Sequence, residues 1–235
     1  MFDFIGNGSA FNTERGNNSA FIKKNSSMIL VDCGGTVFHR IKQLNLLQDI
    51  KNLYIIITHT HPDHIGSLGD LIFYCYYILK FKPTIIYPNK DIITDFFNIV
   101  GVGDEMYELV SDNKVNLTAP EFGDLNIEFI LASHVGVIPA YSFLIGMFDK
   151  VVYYSGDGNR LPEEIINKIK CGCISMAYQD TCGLDYEGNV HLSLKKLCEA
   201  IPKEFRNKVF CMHLDENITE EEIKNEGFNV SGLYK

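Results

Sequence analysis

Three histidines and an aspartate crowd into six residues: His59-Thr60-His61-Pro62-Asp63-His64. They follow directly on Leu53-Tyr54-Ile55-Ile56-Ile57-Thr58, a run rich in β-branched residues that reads as a buried strand. An irregular turn after a strand end can bring alternate side chains to one point. His59 and His61 are then placed to bind one ion, while Asp63 and His64, further round the turn, can reach a second. Imidazole and carboxylate are suitable zinc ligands. A single histidine here would read as an ordinary loop residue and Asp63 as a helix cap. Three histidines and an aspartate at this spacing read as metal ligands.

One short turn cannot complete two coordination shells, so further ligands are expected at other strand ends. Ala132-Ser133-His134, Ser155-Gly156-Asp157 and Cys211-Met212-His213 each follow an apolar run that reads as a strand. Taken singly, His134 is a loop histidine, Asp157 a turn residue before glycine and His213 a helix-entry residue. Their shared place at strand C-termini is what makes them candidates.

The elements that must position these residues alternate along the chain. Strands are expected over Ser27–Asp32, Leu53–Thr58, Thr84–Tyr87, Leu125–Ala132, Tyr141–Met147, Lys150–Tyr154, Cys173–Ala177 and Lys208–Met212. Helices are expected over Leu68–Phe81, Asp91–Val100, Asp104–Val110, Pro162–Ile169, Ser193–Ile201 and Glu220–Asn225. The Leu68–Phe81 stretch is apolar almost all round and should be buried; its Tyr74, Tyr76 and Tyr77 are core or dimer contact, with core preferred. Strands followed by helices in both halves imply an α/β fold with sheets covered by helices.

With 235 residues, 46% hydrophobic and 22% charged, the composition is that of a globular protein with a sizeable core. Residues 1–235 read as a single domain. No apolar run reaches the roughly 18 residues of a membrane span, and Met1 to Gly6 lacks signal-peptide character. A cytoplasmic location is expected. The seven cysteines, odd in number and scattered, read as reduced thiols; Cys171-Gly172-Cys173 is expected to be a buried pair of small residues rather than a metal clip. The net charge of −9 and the lack of any basic stripe argue against long RNA or DNA as a ligand.

The order H-x-H-x-D-H, then His134, Asp157 and His213, resembles the metallo-β-lactamase fold superfamily of two-metal hydrolases. Gly6 to Ser19 and Leu30-Val31-Asp32-Cys33-Gly34 resemble the opening strands of its ribonuclease Z-like branch. The resemblance covers about residues 1 to 215 and implies an αββα sandwich with metals at the sheet edges. It implies one zinc on His59, His61 and His134, another on Asp63, His64 and His213, and Asp157 bridging; manganese is a possible substitute. The flavodiiron branch has glutamate where His61 stands, and dinuclear β-lactamases have cysteine where Asp157 stands. The large nucleases of the superfamily need an inserted domain for which this chain has no room.

His191-Leu192-Ser193 resembles the H-x-S/T element of the phosphodiesterase branch. There the histidine lies near the scissile phosphate, so His191 is expected to protonate the leaving alkoxide and Asp63 to orient the attacking group. Ser193 would cap the following helix and, with the helix N-terminus, bind a phosphate oxygen. Pro139-Ala140-Tyr141 resembles the branch's substrate-side loop, which makes Tyr141 a substrate-binding candidate. Relatives orient the histidine with an acid in an E-A-T-like stretch; here the match is Gln179-Asp180-Thr181, which leaves the partner of His191 open. Two zinc ions outweigh the carboxylates of Asp63 and Asp157, so an acidic chain can hold a phosphate at this one spot.

Ribonuclease Z proteins carry a protruding Gly/Pro-rich arm, absent between His134 and His191. The chain looks most like small cyclic-nucleotide phosphodiesterases of the anti-Pycsar type, which implies hydrolysis of 3′,5′-cyclic nucleotides by a homodimer. Three rivals stand beside this: an arm-less RNA 3′-processing nuclease; a lactone or thioester hydrolase, which would have no need of His191; and a non-enzymatic metal-binding or scaffold protein with a degenerate site, against which the complete ligand set argues.

Overall fold

The computed structural model describes residues 1–235. Its first sheet has six strands in chain order: β1 (Asp3–Gly6), β2 (Ser19–Lys24), β3 (Ser27–Val31), β4 (Asn52–Ile56), β5 (Thr84–Ile86) and β6 (Glu108–Val110). The β1-β2-β3 part is antiparallel and β3 to β6 run parallel. The second sheet has β7 (Lys114–Ala119), β8 (Gly123–Leu131), β9 (Tyr141–Met147), β10 (Lys150–Tyr154), β11 (Met176–Asp180), β12 (Val209–Met212) and β13 (Asn229–Val230), again side by side in chain order. It is antiparallel up to β10 and parallel beyond it.

Alternation along each strand builds three apolar layers. On β3, Ile29 and Val31 point between the sheets, where they meet Phe143, Ile145, Val152 and Tyr154 of the second sheet. Met28 and Leu30 point outward, under α1 (Val37–Gln43), α3 (Leu68–Phe73) and α4 (Lys90–Val100). On the far side, Tyr153, Ala177, Val209 and Cys211 are covered by α5 (Glu163–Lys170), α6 (Leu194–Ala200) and α7 (Glu220–Asn225). Because both faces of each sheet are covered, the central strands read as unbroken apolar runs rather than alternating ones. The result is the αββα sandwich. No helix is long and apolar enough to cross a membrane.

Several elements differ from the sequence expectation. Asp104–Val110 is not a helix: a single tight turn over Asp104–Met106 leads into β6, whose Glu108 pairs with Thr84. A free sheet edge outweighed the local pattern there. The strand expected at Cys173–Ala177 lies three residues later, so it ends on Asp180. The Leu68–Phe81 helix is α3 followed by a wider π-helical stretch over Tyr74–Leu79. Only one side of that stretch is buried: Tyr74 and Tyr76 pack on the outer core, while Tyr77 is 52% exposed. Cys171 and Cys173 are exposed, not buried. They sit in the turn that follows α5, which passes through Gly172 at φ +80° before β11 begins.

Candidate metal centre

The C-terminal ends of β3, β4, β8, β10, β11 and β12 open on one edge of the sandwich, the place where α/β sheets form their ligand crevices. His59 and His61 leave β4 in an extended path. His61 then caps α2 (Pro62–Ile65), in which Pro62 takes the first helical position and Asp63 and His64 follow. Main-chain hydrogen bonds fix this turn against the end of β3: Cys33 donates to the His64 carbonyl at 2.6 Å and Gly35 to that of Pro62 at 3.1 Å. The approach is so close that a Cβ on Gly34 would lie 1.9 Å from the Asp63 carbonyl oxygen. Only glycine fits there.

Six of the seven histidines gather at this edge. His59, His61, His134 and Asp157 offer ligand atoms within 4.8 Å of one another, and so do Asp63, His64, Asp157 and His213. These are the two sets expected from sequence, sharing Asp157. In the first set His61 Nδ1 lies 2.9 Å from His59 Nε2 and 3.4 Å from His134 Nε2. Asp157 Oδ2 is 3.8 Å from each of His59 and His134. In the second set His64 Nε2 is 3.3 Å from Asp63 and 3.2 Å from Asp157 Oδ1, and His213 Nε2 is 3.4 Å from both carboxylates. Ligands at 2.0–2.1 Å from a tetrahedral ion stand about 3.3 Å apart. The spacing therefore fits a divalent cation in each set. His64 Nε2 and Asp157 Oδ1 are buried and make no hydrogen bond, although they face each other. Buried polar atoms are rarely left so, and a shared cation would satisfy both.

The second ring nitrogens of His64, His134 and His59 are held from behind, as those of ligand histidines usually are. His64 Nδ1 donates to Asp32 Oδ2 at 2.8 Å, and His134 Nδ1 to the Val190 carbonyl at 3.2 Å. His59 Nδ1 is 3.1 Å from the Thr58 hydroxyl, which itself donates to Asp32 at 2.8 Å. The Thr58 amide donates to the other Asp32 oxygen at 2.8 Å. Asp32 was not singled out as a site residue from sequence. The available signal was a lone carboxylate closing an otherwise apolar strand. Asp32 and His213 both stand at positive φ, +60° and +56°. Non-glycine residues are uncommon there and gather at functional sites.

Electrostatics divide the histidines. Burial, helped by neighbouring rings, pushes His59 and His61 down and keeps them neutral. Burial also works against charge on His213 and His64. There the carboxylates prevail: Asp157, Asp180 and Asp63 raise His213 to about 10, and Asp157 and Asp32 raise His64. Asp63 and Asp157 are held ionised, against their burial, chiefly by His213 and His64. A centre that draws protons onto its ligands in this way is one that a cation can replace them in.

Above the His/Asp cluster lies a cavity of about 510 Å³, lined by His61, Asp63, His134, Asp157, His191 and His213 among others. His191 faces it from the segment before α6. Its Nδ1 donates to Asp180 Oδ2 at 2.7 Å, which answers the question of its partner: the acid is Asp180, and Gln179 is buried beside it. Burial opposes a charge on His191, but Asp180 outweighs it and raises its pKa. Ser193 and Tyr141 do not line this cavity. Ser193 is buried, caps α6 through the Lys196 amide at 3.2 Å and donates to Asp185 at 3.1 Å. Tyr141 packs edge-on against Tyr87 and Phe129, on the sheet behind the centre.

A family model described as anti-Pycsar protein Apyc1 matches residues 1–230. The chain belongs to this family. Among curated relatives named anti-Pycsar protein Apyc1, one from Paenibacillus harenae is 26% identical, covering 91% of this chain and 89% of the relative. Another, from Bacillus phage vB_BveM-Goe7, is 29% identical over 92% of this chain and 89% of its own length. Similar solved structures include the metallo-β-lactamase fold protein YhfI of Bacillus subtilis, with TM-score 0.72, 17% identity and coverage of 96% and 90%. A diphosphatase of the PhnP family gives TM-score 0.73 at 14% identity, covering 100% and 95%. Human tRNase Z, short form, gives 0.64 at 17%, covering 92% and 93%. These likenesses show the metallo-β-lactamase fold. By family and fold the Apyc1-like chain is a metal-dependent hydrolase, and its His/Asp cluster is suited to divalent metal.

Proposed function

We propose that the protein is a two-metal phosphodiesterase that opens 3′,5′-cyclic nucleotides to nucleoside monophosphates, and so disarms cyclic-nucleotide anti-phage signalling. The observation that carries this reading is His191. It faces the cavity, is held by the buried carboxylate of Asp180 at 2.7 Å, and its ring centroid lies 5.3 Å from that of His134 and 5.0 Å from that of His213. A lactone or thioester hydrolase has no need of such a proton donor beside its ligands.

His59, His61 and His134 would hold one ion, Asp63, His64 and His213 the other, and Asp157 both; zinc is the expected metal, with manganese as the alternative. When bound, such a pair stabilises charge developing on a phosphoryl group and acidifies water at neutral pH. The chain's own residues do the rest. Asp63, kept ionised, stands at the cavity floor where it can orient an attacking water. His191, its Nδ1 fixed on Asp180, has Nε2 left to carry a proton to the departing ribose oxygen, a contribution of typically 10²–10⁴-fold. Cyclic nucleotides are small monoanions, in keeping with a chain of net charge −9 that has no basic stripe and whose one positive centre would be the bound metal pair.

The reading takes residues 1–235 as one hydrolase domain, working in the cytoplasm as a homodimer whose second subunit helps to close the cavity. Chromatography of cyclic AMP after incubation with zinc- or manganese-loaded protein tests the reaction. A single adenosine monophosphate peak supports it. Unchanged nucleotide, alongside cleavage of a precursor tRNA or a lactone, overturns it.

A further inference from the structure

The cavity has two unlike sides. Its floor is the His/Asp cluster, and part of its wall is apolar, formed by Ala10, Phe11, Val135 and Val190. Phe11 is 87% exposed, which for an isolated aromatic ring at the mouth of a polar site leaves a flat apolar face in water. The main chain that carries it is not loose. Residues 7–18 link β1 to β2, and the loop is closed on itself by the Gly8 amide, which donates to Gly16 at 3.0 Å. It is also tied to the chain just beyond the ligand His213. Leu214 donates to the Asn7 carbonyl at 2.9 Å, and Ser9 donates to the Leu214 carbonyl at 3.0 Å. The Asn12 side-chain amide donates to the carbonyls of Leu214 and Asp215 at 3.1 and 3.2 Å. Four hydrogen bonds to Leu214 and Asp215, the two residues after His213, fix the main chain that carries Phe11 relative to the centre.

We propose that Phe11 is a specificity-determining residue that stacks on the nucleobase of the substrate. The inference rests on the cyclic-nucleotide reading and adds the part of the site that recognises the base. A cyclic nucleotide has one anionic end and one flat aromatic end, and the cavity offers a cation-binding floor and a flat apolar wall. Stacking needs no hydrogen-bond pattern, so it serves purines and pyrimidines alike. The base is remote from the bonds that change, so the contact is equally strong in ground and transition states. It therefore acts on KM and not on kcat.

The test compares the full-length metal-loaded protein with Phe11→Ala and Phe11→Trp on cyclic AMP, cyclic CMP and a base-free ribose 3′,5′-cyclic phosphate. Phe11→Ala is expected to raise KM for both nucleotides by roughly ten- to a hundredfold, with kcat changed less than about twofold. Phe11→Trp should retain the wild-type KM, and the base-free ester should respond to neither substitution. Equal KM in wild type and Phe11→Ala overturns the proposal. So does a parallel loss on all three substrates with a lower sedimenting mass, which would make Phe11 a contact between copies of the chain. If wild type turns over none of the three, the phosphodiesterase reading fails by itself. Equilibrium binding of cyclic AMP then decides on Phe11, and undiminished binding to Phe11→Ala overturns its role.

Discussion

Asp180 Oδ2 lies 2.7 Å from His191 Nδ1 while its Oδ1 lies 3.4 Å from His213 Nδ1. One fully buried carboxylate thus holds the proposed proton donor by a hydrogen bond and sets its charge beside a proposed metal ligand. The two partners separate by mutation. His191→Ala should lower phosphodiester turnover by roughly 10²–10⁴-fold and leave the bound metal unchanged. Asp180→Asn should lower turnover and also weaken metal binding, because His213 loses the negative charge beside its ring. Steady-state kinetics beside elemental analysis checks both, and loss of metal in His191→Ala would contradict the assignment.

Asp32 accepts from the Thr58 amide and hydroxyl and holds His64 at 2.8 Å. Partners of this kind are worth roughly 10–100-fold in metal affinity. Asp32→Asn should weaken binding of one ion by that factor, measured by competition with a chromogenic chelator. Unchanged affinity for both ions would remove Asp32 from the site.

Without metal the centre is stabilised by its own charges, with a definite pH sign. His213 rises from 6.5 to about 10 on folding, and His64 moves the same way. Their contribution is complete below pH 6.5 and is lost as pH rises through their folded values. Below 6.5 a second loss begins, because His59 and His61 resist the protons that the unfolded chain takes up. The chelated protein should therefore lose on the order of 5 °C in melting temperature between neutral pH and the His213 pKa. The metal-loaded protein should not, since its ligands are already free of protons. A chelated protein with a flat profile would contradict this.

Thiol chemistry offers a check on the fold. Cys171 and Cys173 are exposed, whereas burial lifts the thiols of Cys33, Cys75 and Cys211 to about 12. A native-state thiol titration should show two fast groups of the seven. Rapid reaction of all seven would mean that the sheets are not packed as described.

The clustering of His59, His61, Asp63 and His64 was legible because their spacing is set by one strand end and its turn, which a sequence displays directly. His134, Asp157 and His213 could be read because each follows an apolar run, and the covered sheets make such runs continuous. What could not be read depends on pairing across the chain. Asp180 became the partner of His191 only once β11 was seen to end on it, three residues beyond the expected strand. Asp32 gave no periodic signal, since its role lies in two hydrogen bonds from Thr58 on the neighbouring strand's extension. Ser193 illustrates the opposite case: its capping role is local and visible, while the phosphate contact suggested by resemblance needs a side chain that the structure commits to Lys196 and Asp185.

The most direct measurement is a turnover panel with zinc- and manganese-loaded protein and a His61→Ala control. The substrates are cyclic AMP, GMP, CMP and UMP, cyclic dinucleotides, a precursor tRNA and an acyl-homoserine lactone. Cleavage of cyclic mononucleotides to monophosphates, abolished in His61→Ala, is the expected result. Cleavage of the RNA or the lactone alone would keep the metal centre and contradict the substrate.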